Sequence, residues 1–139
     1  MLVEHFRQLR VYRQAFDAAM RIYELSKAWP KEERYSLTDQ IRRSSRAVCE
    51  CTAEAWRKRR YVAHFVSKLS DADAEAGETQ AWLDFALHCG CISQADYTDL
   101  DQKYENISGG LVKMMAKPEK WCGPAQLLKE TGPEYNTGE

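Results

Sequence analysis

Apolar residues recur along the chain at alternating intervals of three and four, the spacing that holds a stripe on one face of an α-helix. Four segments carry it. The first runs Leu9, Tyr12, Phe16, Ala19, Tyr23 and Ser26, and the second Leu37, Ile41, Ser44, Val48, Cys51 and Ala55. The third runs Phe65, Leu69, Ala72, Ala76, Thr79, Leu83 and Ala86, and the fourth Tyr97, Leu100, Tyr104, Ile107, Leu111 and Met114. Stripes of this period bury against one another at shallow crossing angles. The pattern predicts an all-α domain over residues 1–118, with helices near 4–28, 36–57, 61–89 and 93–117 packed like a left-handed coiled coil.

Breakers and caps fall between the stripes. Pro30 closes the first helix, because proline disfavours helical geometry at Trp29 before it. Ser36-Leu37-Thr38-Asp39 reads as a capping box for the second helix, with Asp in place of Glu, and Ser93-Gln94-Ala95-Asp96 repeats it for the fourth. Gly90 suits the C′ position of the third helix, and Pro118 ends the fourth. The second and third helices meet near Arg57–Arg60, and residues 119–139 are expected to lack order. Short connections make neighbouring helices antiparallel, giving an up-down-up-down four-helix bundle. One local conflict remains: Gly109-Gly110 lies inside the fourth helix, where each glycine costs about 1 kcal/mol relative to alanine. Close packing, a mild kink or a hinge would each account for it.

A length of 139 residues suits one core, and 44% hydrophobic with 29% charged residues is globular composition. The N-terminus is charged at once and no window approaches eighteen uninterrupted apolar residues, so a cytoplasmic protein without a membrane span is expected. Five cysteines, an odd number, are expected as free thiols.

The first helix carries more apolar surface than one stripe needs. Val11, Ala15, Ala18, Ile22, Leu25 and Trp29 form a second series beside the first, and Trp82 and Phe85 fall outside the third stripe. These positions serve either a wide core-facing stripe or a contact between subunits. Charge is divided as well: residues 1–70 hold fifteen Lys/Arg against eight Asp/Glu, and residues 71–139 hold five against thirteen. The cations gather as Arg42, Arg43, Arg46, Arg57, Lys58, Arg59 and Arg60, whereas Asp71 to Asp101 contains eight acidic residues and no Lys or Arg. Complementary patches suit head-to-tail contact with another copy. The candidate subunit interface is therefore Val11, Ala18, Leu25 and Trp29 with Asp71, Glu75, Glu78, Trp82 and Phe85. The basic cluster would serve that contact, another partner, or the phosphates of nucleic acid, with Trp56 and Tyr61 beside it. A pI near 6.3 sets the whole chain apart from strongly basic nucleic-acid binders.

Catalytic chemistry finds little support. Di-iron bundles need Glu-x-x-His pairs on two helices, and the chain has none. His88-Cys89-Gly90-Cys91 and Cys49-Glu50-Cys51 lack the paired Cys-x-x-Cys spacing of zinc sites. No phosphate loop or nucleophile elbow occurs. No cofactor, metal or catalytic residue is expected, and the function expected is non-enzymatic.

Several stretches resemble a known family. Phe6-Arg7-Gln8-Leu9-Arg10-Val11-Tyr12 is similar to an opening of the form F-x-x-L-x-V-W/Y. Trp29-Pro30 followed by Glu32 to Ser44 resembles F-P-x-x-E-x-Y-x-L-x-x-Q-I-R-R-A/S, and Leu37–Ser44 is its most specific part. These resemble the bacterial four-helix-bundle proteins found in intervening sequences of 23S ribosomal RNA genes, over roughly residues 6–117. Where that family has N-I-A-E-G, this chain has Cys51-Thr52-Ala53-Glu54-Ala55, so it resembles a divergent member. The resemblance implies a ring-forming bundle, commonly a homopentamer, with no established catalytic residues. A related branch, accessory proteins of diversity-generating retroelements, implies a reverse transcriptase and nucleic acid as partners of a basic surface.

Overall fold

The computed structural model describes residues 2–122; the segment expected to lack order lies outside them from residue 123 onward. The described residues form four α-helices and no strand: α1 (Arg10–Ser26), α2 (Asp39–Arg57), α3 (Val62–His88) and α4 (Gln94–Ala116). α1 packs on α2 and α4, and α3 packs on the same two, so α1 and α3 are diagonal partners in a four-helix bundle.

Two of the three segment ends expected to carry caps behave as their residues dictate. α3 ends with Gly90 at φ 74°, where Cys91 N–H reaches Ala86 O at 2.8 Å and Gly90 N–H reaches Leu87 O at 3.1 Å. That is the Schellman arrangement, and only glycine enters it without strain. Ser93 caps α4, its Oγ accepting from Asp96 N–H at 3.1 Å. The expected box at Ser36 does not form. Arg34–Thr38 is a π-helical turn running straight into α2, so the backbone is already helical where a cap would be extended. Ser36 Oγ instead donates to Glu33 Oε1 at 2.8 Å. The first helix also begins later than residue 4: Phe6–Gln8 is a 3-10 turn, and Leu9, extended at ψ 131°, separates it from α1.

The core follows the stripes in α2, α3 and α4. Phe65, Leu69, Ala72, Ala76, Thr79, Leu83 and Ala86 are all buried, as are Leu100, Tyr104, Ile107, Leu111 and Met114. Ser44 and Thr79 meet inside the α2–α3 seam, their hydroxyls 2.8 Å apart, so one donates to the other and the second is free to donate to its own helix, as Thr79 can to Glu75 O at 2.9 Å. α1 is the exception. Its second series is buried except for half-buried Leu25, while the first is split: Leu9, Ala19 and Ser26 are buried, Tyr12 and Tyr23 half-buried, and Phe16 faces out. Small residues in the second series let α1 approach its neighbours closely. At Gly110 of α4 an added Cβ would collide with Val11 Cγ1.

Candidate interaction surface

The rotation of α1 brings its larger aromatics to the α1–α2 seam. Phe6 and Tyr12 lie with ring centres 5.0 Å apart, and Tyr12 and Phe16 with centres 6.2 Å apart. Tyr23 continues the same side of α1. Cations from α2 flank both ends of this row. Arg42 and Arg46 stand 4.9 and 5.8 Å from the Tyr23 ring centre, joined by Lys27 at 4.8 Å. Arg57 and Arg7 stand 5.9 and 4.8 Å from the Phe6 ring. Arg42 is further fixed by its Nε, which donates to Ser26 Oγ at 2.8 Å. Cation–ring contacts of this kind contribute about 0.5–1 kcal/mol at exposed sites. Reading Tyr12, Phe16 and Tyr23 as core positions hid this row. The signal was present in the i, i+4, i+15 spacing of Arg42, Arg46 and Arg57, which places all three on one face of α2.

The remaining members of the basic cluster go elsewhere. Arg43 points across the α2–α3 seam, 3.3 Å from Glu75 and in direct contact with Glu78. Arg59 is buried; its guanidinium lies 3.6 Å from the Trp56 ring centre and its Nε donates to Trp56 O at 2.8 Å. Lys58 is exposed at the end of α2, and Arg60 is half-buried in the following turn. The seven cations are thus divided among a seam, an ion pair and a turn rather than joined in one patch.

The candidate interface residues divide likewise. Val11, Ala18 and Trp29 are buried within the bundle and Leu25 is half-buried, so they complete the core of this chain. Glu75 and Glu78, expected to await a neighbour, meet Arg43 of their own chain, because α2 and α3 run side by side. Burial pushes the Glu78 carboxyl up, but hydrogen bonds from Trp82 and Arg43, with the Arg43 charge, outweigh it and hold the group below the ordinary carboxylate value. Asp71 is exposed, 3.7 Å from Lys68. Trp82 is half-buried, its Nε1 donating to Glu78 at 3.1 Å and its ring 5.7 Å from that of Phe85. Phe85 remains 58% exposed.

All five cysteines are free thiols. Burial, with the Glu50 charge, pushes Cys49 up to about 12, and burial also raises Cys51, Cys91 and Cys122. These are poor thiolates at neutral pH. Among the described residues no three or more His, Cys, Asp or Glu side chains gather as a metal ion would need. No helix among them is long and apolar enough to cross a membrane.

The family described as 23S rRNA-intervening sequence protein matches residues 7–113. The chain belongs to this family. No curated protein matches it significantly. Among solved structures it is similar to a protein of unknown function from the S23 ribosomal protein family of Bacteroides thetaiotaomicron VPI-5482. The two share 26% identity over 76% of this chain and 95% of that one, with a TM-score of 0.69. The match to the 23S rRNA-intervening sequence family spans the Leu37–Ser44 stretch, α1, α2 and α3, and most of α4.

Proposed function

We propose that this chain is a cytoplasmic, non-enzymatic scaffold or adaptor that assembles with copies of itself into a closed ring. The observation that carries this reading is a pair of unlike apolar faces. Phe16 and Met20 of α1 are 48% and 43% exposed, and Phe85 of α3 is 58% exposed beside Trp82. Contiguous apolar surface of this kind marks contact sites. The two faces sit on diagonal helices, so a contact joining one to the other is head-to-tail and closes into a ring when the rotation between copies permits. Charge assists the same pairing: the α1–α2 seam carries Arg42, Arg46 and Arg57, while Asp71 lies on the α3 face. Five copies is the number that the resemblance implies.

Light scattering on the full chain tests this, with a multimer expected at micromolar concentration. Phe16→Glu and Phe85→Glu are each expected to lower the mass to that of one chain with helicity retained. A strict monomer before substitution rejects the assembly.

A second reading is favoured by the aromatic row with cations at both ends. Aromatic faces accept unpaired bases and guanidinium groups accept phosphates, so the seam suits single-stranded RNA or DNA in an accessory protein, with a reverse transcriptase as a possible partner. Titration with labelled oligonucleotides at several salt concentrations is expected to show affinity falling steeply as salt rises, and Arg42→Ala with Arg46→Ala to flatten that slope. No binding at low salt removes this reading.

A further inference from the structure

The glycine pair of α4 performs two different tasks. Gly110 admits Val11, but a Cβ at Gly109 would meet nothing within 4 Å, so packing does not require that glycine. Helix propensity alone opposes it. Gly109 instead lies in the wall of an open groove of about 950 Å³ between the start of α1 and the end of α4. That volume suits a small molecule.

The lining is divided by chemistry. Trp121, half-buried, faces the groove and is backed by Leu9, Val11 and Met114, which are buried and present only their edges to it. Arg10, Lys113, Lys117 and Lys120 line the same groove, and none of the ion pairs among the described residues involves them. The carboxylate in the lining, Glu105, accepts a hydrogen bond from Gln80 at 2.9 Å. Lysines near a helix C-terminus complement its dipole. That accounts for Lys113 and Lys117 in part, but not for Arg10 on another helix facing the same groove.

From this groove we propose a binding site for a free single-chain amphiphile with an anionic head, of the fatty-acid class. The acyl chain lies against Trp121 and the edges of Leu9, Val11 and Met114, which shield part of it from water. The head group meets the four cations. Four cations against one carboxylate select an anionic head, and the apolar side chains beside them favour a ligand whose other end is apolar.

The site goes beyond the scaffold reading and is tested independently of it. Calorimetry on the full chain would use dodecanoate below its micelle concentration, with dodecyltrimethylammonium, AMP and phosphatidylglycerol vesicles as separate arms. Dodecanoate alone is expected to bind saturably, with a change in tryptophan emission that Trp121→Phe removes. Gly109→Leu places a branched side chain at the groove wall and is expected to weaken binding, whereas Gly109→Ala retains it. Lys113→Glu with Lys117→Glu is expected to weaken binding about tenfold or more. The proposal is overturned if dodecanoate does not bind, if the cationic analogue binds equally, if Gly109→Leu folds and binds normally, or if only AMP or vesicles bind.

Discussion

Tyr104 sits at the centre of the bundle with no exposed surface, and its hydroxyl has no hydrogen-bond partner among the described residues. Burial, and after it the charge of Cys49, pushes its pKa far above that of an ordinary phenol. A buried polar group left unpaired costs about 1–3 kcal/mol. Tyr104→Phe keeps the ring in place and removes the orphan, so urea unfolding should show stability raised by about 1 kcal/mol. A loss of stability would mean that the hydroxyl is held. The stripe made the burial of Tyr104 legible. The orphan was not, because it depends on which side chains arrive from other helices. The same holds for the thiols: five cysteines were readable as free, but their order of reactivity follows packing. Cys89, exposed, should label first with iodoacetamide at pH 8, and Cys49, raised to about 12, should resist until the chain unfolds.

At the scale of the helix, adjacent Gly109 and Gly110 give opposite expectations. Gly110→Ala gains helix propensity but drives a methyl into Val11, whose β-branched side chain has little rotamer freedom on a helix. A net loss of about 1–2 kcal/mol is expected, and Val11→Ala in the same chain should recover most of it. Gly109→Ala meets nothing and should raise stability by about 1 kcal/mol. Denaturant unfolding of the three variants decides between close packing and a hinge, since a hinge would make both glycines costly to replace. The pair was legible as a conflict, whereas its division into a contact and a groove required α1 to be placed against α4. The caps teach a related lesson. Ser93 and Gly90 act as their local residues predict, while Ser36 is overridden by the π turn that delivers the chain into α2 already helical. On α1 two apolar series satisfied the period equally well. Period alone cannot choose between them; the side holding Ala15, Ala18 and Val11 faces inward because it admits close neighbours.

Across the whole molecule, the basic and acidic halves are partly reconciled within one chain. The sequence shows the imbalance between residues 1–70 and 71–139, but which charges meet depends on α2 lying antiparallel to α3. Arg43 with Glu75 and Glu78, and Lys68 with Glu54, close that seam. The Glu78 carboxyl is held below its ordinary value of 4.5, so the folded state binds its proton less readily than the unfolded chain does. Its contribution to stability is therefore full above that ordinary value and disappears as pH falls through the lower folded value. Stability measured by urea unfolding should accordingly fall as pH drops below about 4.5, and Glu78→Gln should reduce the steepness of that fall. The groups are partly exposed, so the effect is modest and shrinks with added salt. Assembly provides the separating measurement. Arg43 spends its charge inside the chain, whereas Arg42, Arg46 and Arg57 present theirs along the α1–α2 seam. Arg43→Ala should lower the stability of each chain near neutral pH and leave the multimer's mass unchanged. Arg42→Ala with Arg46→Ala should shift the mass toward the single chain already at low salt and make it less dependent on salt than that of the parent chain. If Arg43→Ala instead dissociates the multimer, its carboxylate partners belong to the neighbouring copy, and the α2–α3 seam is an interface rather than an internal clasp.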